Sequence, residues 1–261
     1  MILDRLAASA RKRVEEKKRR RPLTELQREA EAMEKNTGFP FRQALEAEGI
    51  SFICEVKKAS PSKGIIAEQF PYLEIAEDYQ AAGAAAISVL TEPEYFLGQD
   101  RYLKEIARQA AVPVLRKDFT VDPYQIYEAK VLGASAVLLI CSILSLEQLK
   151  EYLKLARGLG LSALVETHDS REIDLALEAG AGIIGVNNRN LQDFQVDVSN
   201  SLRLRELIPP GVLYVSESGV RTRRDVEILE QNGTDGVLIG EILMRSPDRQ
   251  RTLRELKGGA G

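Results

Sequence analysis

Leu132-Gly133-Ala134-Ser135-Ala136-Val137-Leu138-Leu139-Ile140 passes from the end of a helical pattern into an apolar, β-rich run through one glycine. Glycine in that place can take the left-handed backbone conformation that ends a helix. The same punctuation recurs at Ala82-Gly83-Ala84, Ala179-Gly180-Ala181 and Asn232-Gly233-Thr234. In chain order the four glycines lie 50, 47 and 53 residues apart, and each interval holds two strand-helix units. The candidate strands are 52–57, 85–90, 113–117, 136–140, 162–166, 182–187, 212–217 and 236–240. Eight strands, each followed by a helix-like segment, imply parallel pairing through right-handed crossovers. Four doublets close naturally into an α/β fold, a (βα)8 TIM barrel. An open doubly wound sheet offers no reason for eight regular units.

Residues 1–45 stand outside this repeat. Ile2, Leu3, Leu6, Ala10 and Val14 recur near helical spacing, and Thr37-Gly38-Phe39-Pro40 breaks the pattern. The stretch 11–21 is dominated by Lys and Arg but interrupted by Glu15 and Glu16. A surface helix with a thin apolar stripe accounts for it better than a nucleic-acid arm. The expectation is one barrel domain over 1–261, with 1–45 as an N-terminal helical extension.

Composition narrows the function classes. With 36 Lys plus Arg against 39 Asp plus Glu the net charge is −3, which argues against nucleic-acid binding driven by bulk charge. At 44% hydrophobic and 29% charged residues, the chain matches an ordinary soluble globular protein. Cys54 and Cys141 each sit inside an apolar run, which suits neither a disulfide framework nor a zinc site. The first residues lack the apolar core of a signal peptide. The most apolar stretch, 131–146, carries a Gly and three Ser and is shorter than the ~20 residues of a spanning helix. A cytoplasmic, reducing location is expected, with no membrane partner.

In such a barrel, catalytic groups project from the carboxyl ends of the strands. Read in order, those ends supply Glu55 and Lys57, Lys117, Glu166, Asn187, and Glu217 with Ser218. Any one charged residue there is unremarkable on its own. Five charges of both signs, most preceded by apolar residues on the same face, point to a site. Two lysines among three glutamates suit metal-free acid/base chemistry better than a divalent-metal site. The only histidine, His168, is read as a loop or surface group, since no Ser or Cys partner accompanies it. A lysine among carboxylates can stay protonated and deliver a proton to a carbonyl. A glutamate shielded from water can accept one near neutral pH. Imine formation at Lys57 or Lys117 competes, but neighbouring carboxylates would keep the amine charged.

Ser216-Glu217-Ser218-Gly219 and Ile239-Gly240-Glu241 each open into a helical pattern after the last two strands. Barrels commonly bind phosphate there on backbone N–H groups that glycine lets a ligand approach. Lys58-Ala59-Ser60-Pro61-Ser62-Lys63-Gly64 is rich in turn formers and reads as a lid or an inert surface loop. Phe96 and Phe119 either line a pocket for a flat apolar group or pack under loops.

These segments resemble the indole-3-glycerol-phosphate synthase family of tryptophan biosynthesis. The resemblance rests on Glu55-Val56-Lys57-Lys58-Ala59-Ser60-Pro61-Ser62, Leu115-Arg116-Lys117-Asp118-Phe119, Val165-Glu166-Thr167-His168, Gly185-Val186-Asn187-Asn188-Arg189-Asn190-Leu191, Ser216-Glu217-Ser218-Gly219 and Leu238-Ile239-Gly240-Glu241-Ile242-Leu243-Met244, in the family's order. It implies a carboxy-lyase acting on 1-(2-carboxyphenylamino)-1-deoxyribulose 5-phosphate. Ring closure onto the ketone, loss of carbon dioxide and loss of water then give indole-3-glycerol phosphate.

By the same resemblance Lys117 is the acid that protonates the ketone oxygen, and Glu166 accepts protons and orients the anilino nitrogen. Glu55 and Lys57 share further duties: Lys57 holds carboxylate or phosphate, or assists dehydration. Asn187 and Glu217 hold sugar hydroxyls. Ser218, Gly219, Gly240 and Glu241 cradle the phosphate, Ser60 and Arg189 shape the loops, and Phe96, Pro61, Phe119, Leu138 and Leu191 enclose the aromatic ring. Glu241 stands where some members carry Ser or Thr, so its backbone N–H would do the binding and its carboxylate would point away. No cofactor and no metal is implied, and the partner is a phosphorylated small molecule. A monomer is expected, without fusion to a second barrel. The rival readings are an aminoketose isomerase, an imine-forming aldolase, and a noncatalytic binder of phosphorylated sugars.

Overall fold

The structure, a computed structural model, describes residues 2–190 and 194–259. Among these the strands are β1 (Ser51–Val56), the short β2 (Ala59–Ser60) and β3 (Gly64–Ile65), β4 (Ala86–Leu90), β5 (Val114–Lys117), β6 (Ala136–Ile140), β7 (Ser162–Thr167), β8 (Ile183–Asn187), β9 (Leu213–Glu217) and β10 (Gly236–Ile239). Eight of them close a parallel barrel in the order β1-β10-β9-β8-β7-β6-β5-β4, with β4 pairing back to β1. Every expected barrel strand is present, with each end displaced by one residue at most. Gly83, Gly133, Gly180 and Gly233 all have left-handed backbones, with φ between +78° and +90°, as the sequence repeat requires.

Three helices precede the barrel: α1 (Ile2–Arg20), α2 (Leu23–Ala32) and α3 (Pro40–Leu45). The others are α4 (Tyr72–Ala81), α5 (Asp100–Gln109), α6 (Pro123–Leu132), α7 (Leu146–Gly158), α8 (Ser170–Ala179), α9 (Ser199–Leu204), α10 (Arg223–Gln231), α11 (Glu241–Arg245) and α12 (Arg249–Lys257). The break at Thr37-Gly38-Phe39-Pro40 is as expected, with Gly38 and Phe39 both at positive φ. A second break, at Arg21-Pro22, was not anticipated; Pro22 caps the start of α2.

Strand alternation makes two cores, because both faces of a parallel sheet are covered. Inside the barrel pack Ile53, Ala86, Leu115, Ala136, Leu138, Leu164, Ile183, Val215 and Leu238, joined by Phe41 and Leu45 of α3. Leu45 lies against Gly236 at the start of β10, and the Ser51 hydroxyl donates to the Ala44 carbonyl at 2.7 Å. Thus α3 plugs the amino end of the barrel. The outward residues, such as Cys54, Ile87, Val137, Val165, Ile184 and Val237, meet the helical layer through Tyr79, Leu103, Ile126, Leu149 and Ile173.

The basic stretch of α1 departs from the reading of a plain surface helix. Its stripe of Leu3, Leu6, Ala7, Ala10 and Val14 is buried as expected. However, Arg13 pairs with Asp118 at 2.6 Å, Lys17 with Glu128 at 2.8 Å and with Asp100, and Lys18 with Asp122 at 2.7 Å. These charges bind α1 to the segments around β5 and α6. Periodicity cannot reveal such pairs, since each partner lies about a hundred residues away.

Candidate active site

The inward register of β1, β5, β7, β8 and β9 carries Glu55, Lys117, Glu166, Asn187 and Glu217 to the carboxyl end of the barrel. They line one cavity of about 660 Å³ together with Lys57, Ser60, Pro61, Phe96, Phe119, Leu138, Arg189, Ser218, Gly219, Gly240 and Glu241. Of the residues singled out from the sequence, only Leu191 is not placed here, because it lies outside the described residues. The segment after β1 is a small antiparallel hairpin, Ala59 opposite Ile65 and Ser60 opposite Gly64, which puts Ser60, Pro61 and Ser62 on the cavity wall.

Lys117 is the electrostatic centre. Its ammonium donates to Glu166 Oε2 at 2.8 Å and lies 3.3 Å from Glu217 Oε2. Burial alone would lower the Lys117 pKa, but the charges of Glu166, Glu217 and Glu55 outweigh it and hold the amine protonated. Lys57, just past the end of β1, donates to Glu55 two residues before it. Asn187 Nδ2 donates to Glu166 Oε1 at 3.2 Å.

The two carboxylates beside Lys117 diverge. Burial pushes Glu166 up, yet the Lys117 ammonium, His168 and hydrogen bonds from Lys117 and Asn187 bring it well below the ordinary carboxylate range. Burial pushes Glu217 up as well; with Glu166 and Glu55 opposing Lys117, it is pushed up to about 7. The expectation of a shielded carboxyl that titrates near neutral pH is therefore met at Glu217 rather than at Glu166. Glu217 Oε1 is buried without a hydrogen-bond partner, pressed against Gly185, where an added Cβ would stand 2.2 Å from it.

The opposite side of the mouth is built from backbone. Ser218 (φ +67°) and Gly219 (φ +96°) are both left-handed, and Ser218 accepts strain that a non-glycine residue seldom carries. A side chain at Gly219 would meet Val198 at 2.7 Å and Val196 at 2.8 Å. At Gly240 an added Cβ would stand 2.7 Å from Glu55 Oε2, so glycine lets the turn into α11 pass beside the carboxylate. The Glu241 carboxylate is engaged by Arg245 at 3.3 Å and Lys63 at 3.7 Å.

The apolar wall holds Phe96 and Phe119, with ring centroids 6.2 Å apart, beside Leu138 and Ile140. Ile2, Leu3 and Leu6 of α1 complete it. Sequence reading missed several supports. The buried Glu92 carboxylate accepts the backbone N–H groups of Glu94, Tyr95 and Phe96 at 2.7–2.9 Å and so seats Phe96. Asp118 accepts from Thr91 and Arg13 and ties α1 beside Phe119. His168, expected to be a loop or surface group, does lie in the loop after β7, but half-buried against Glu166, its Nε2 3.5 Å from Oε1. Its place two residues beyond Glu166 was the available signal. Among the described residues no group of three His, Cys, Asp or Glu side chains is arranged to hold a metal ion.

The model of the family described as indole-3-glycerol phosphate synthase matches residues 3–256. The chain belongs to the indole-3-glycerol phosphate synthase family. It is 56% identical over 260 residues to the indole-3-glycerol phosphate synthase of Ruminiclostridium cellulolyticum, covering 100% of both chains. It is 55% identical over 257 residues to that of Endomicrobium trichonymphae, covering 98% of this chain and 100% of the relative. Among solved structures this synthase-family chain is similar in fold to a 3-hexulose-6-phosphate synthase from Salmonella typhimurium. That match has a TM-score of 0.66 at 14% identity over 80% of this chain and 97% of the other. A Pyrococcus furiosus tryptophan synthase complex matches with TM-score 0.58 at 15% identity, covering 80% and 98%. At such identities the likeness concerns the barrel alone.

Proposed function

We propose that the cavity converts 1-(2-carboxyphenylamino)-1-deoxyribulose 5-phosphate to indole-3-glycerol phosphate, with Lys117 as general acid. The observation that carries the assignment is the Lys117 ammonium shared between Glu166 and Glu217 on the cavity floor, opposite the Ser218-Gly219 and Gly240-Glu241 turns. Held protonated by three carboxylates, Lys117 is a poor imine-forming nucleophile and a well-placed donor to a ketone oxygen. Donation there stabilises the charge that develops as the ring closes. Loss of carbon dioxide then restores the aromatic ring, and loss of water follows.

Glu166, kept ionised, orients the anilino nitrogen and accepts a proton once Lys117 has given its own away. Asn187 and Glu217 hold sugar hydroxyls; near neutral pH Glu217 both donates and accepts. Lys57, paired with Glu55, meets the substrate carboxylate or assists dehydration. The phosphate rests on the backbone of Ser218, Gly219, Gly240 and Glu241, with Ser60 and Arg189 shaping the rim. Pro61, Phe96, Phe119 and Leu138 enclose the aromatic ring.

No helix among the described residues is long and apolar enough to cross a membrane. Burial pushes the free thiols of Cys54 and Cys141 up, Cys141 to about 12, and so keeps them unreactive.

The test is incubation of the purified protein with this substrate under chelator, following indole fluorescence. Product is expected from wild type. For Lys117→Ala, turnover is expected to fall on the order of 1,000-fold with substrate still bound. Unchanged turnover would remove Lys117 from the role of acid.

A further inference from the structure

His168 is the chain's single histidine, and it sits at the carboxyl end of β7 without lining the cavity. Its surroundings are acidic on two sides. Nε2 faces Glu166 Oε1 of β7 at 3.5 Å, and Nδ1 lies 3.0 Å from Glu172 Oε2 of α8. Ser142, in the turn after β6, places its hydroxyl 3.3 Å from Nδ1 but gives its hydrogen to Glu172 Oε1. The backbone is fixed as well: the His168 N–H donates to Glu172 at 2.7 Å, and its carbonyl accepts from Asn200 of α9 at 3.1 Å. Glu217 adds further negative charge, while Lys117 stands on the far side of Glu166.

A neutral imidazole carries one N–H and must aim a lone pair at one of these carboxylates. An imidazolium presents an N–H to each, hydrogen-bonding Glu172 and facing Glu166 as an ion pair at 3.5 Å. Nε2 is buried with no hydrogen-bond partner of its own, leaving Glu166 Oε1 as the acceptor it faces. We infer that His168, in its protonated form, is a positioning residue that clamps Glu166 from the side opposite Lys117 and holds its carboxylate ionised and oriented toward the cavity. Burial disfavours the cation, but the hydrogen bond to Glu172 and the charges of Glu166, Glu172 and Glu217 outweigh it and raise the pKa above the usual histidine value. The inference rests on the proposed role of Glu166.

With one histidine in the chain, its proton NMR signal needs no assignment. Titration of the wild type is expected to give a midpoint above ~6.5, and a lower one in Glu172→Gln. In steady-state assays, the ratio of wild-type kcat to that of His168→Gln is expected to be about tenfold at pH 6. It should shrink toward one above the NMR midpoint, with KM unchanged, because the clamp exists only while the ring is charged. A midpoint at or below ~6.5, or a kcat ratio that does not vary with pH, overturns the inference. Should His168→Gln not fold, titration of wild type and Glu172→Gln still decides it. Absence of product from the wild type would refute the functional reading instead and leave the titration to decide this one.

Discussion

Gly185 makes a sharp test of how closely the carboxylates are placed. It lies in β8 opposite Glu166 of β7 and Val215 of β9, and its missing side chain leaves the space that Glu217 occupies. In Gly185→Ala the new Cβ would stand 2.2 Å from Glu217 Oε1 and 3.2 Å from both Glu217 Cδ and Leu164 Cδ1. An ordinary contact requires the carboxyl to withdraw by about 1 Å, which breaks its 3.3 Å approach to Lys117. A misplacement of about 1 Å near the reacting atoms costs on the order of 100-fold in rate, or about 3 kcal/mol of transition-state stabilisation. Overpacking should also cost about 1–3 kcal/mol of stability.

Gly180→Ala supplies the contrast. Nothing lies within 4 Å of its added Cβ, but its φ is +85°. It should lose about 1–2 kcal/mol of stability through backbone strain, with kcat unchanged. Urea unfolding and indole fluorescence, run on both variants, separate the two effects. If Gly185→Ala retained kcat within threefold of wild type, or both variants lost activity alike, the steric account of Glu217 would be wrong.

Two further outcomes follow from the same charges. Because Glu217 is raised from 4.5 to about 7 in the folded protein, the stability tied to its protonated form is present below pH 4.5 and is lost as pH rises toward 7. Glu217→Gln should therefore recover about 3 kcal/mol relative to wild type between pH 4 and pH 8 in urea unfolding, and parallel curves for the two proteins would contradict the shift. Arg13→Ala breaks the ion pair that ties α1 to Asp118, leaving that buried carboxylate to Thr91 and Arg116. About 2–3 kcal/mol should be lost, with KM rising more than kcat falls, since Ile2, Leu3 and Leu6 wall the cavity; hydrogen exchange in α1 unchanged from wild type would oppose this.

The barrel was readable because its signals are local and repeated: a glycine at a helix end, an apolar run, then a polar residue where the run stops. The same locality exposed Lys117, Glu166 and Glu217, which their strands must present at one rim. Arg116 shows where such reading ends. Alternation turns it outward, beneath α5 and α6, and it is almost wholly buried there because Glu128, Asp100 and Asp118 lie within 2.7–3.4 Å. None of those partners is recognisable from spacing. The same is true of Glu92, whose task is to gather three N–H groups of its own loop, and of His168, whose second carboxylate arrives from the next helix. Nor could residue type distinguish Glu166 from Glu217. Their opposite shifts come from how the cations are shared, which only the packed geometry decides.

The pairing of Ser51–Cys54 with Gly236–Ile239 has a consequence for how the protein is made. The first barrel strand emerges from the ribosome before the other seven, yet its hydrogen-bonding edge toward β10 stays open until that last strand has been synthesised. Seams closed by residues so distant in sequence are slow to form. The turn that carries Gly240 comes directly after the closing strand. A chain stalled before that point would hold most of the acid/base groups but have no sealed ring to keep them in register, so competence for catalysis waits on the synthesis of β10.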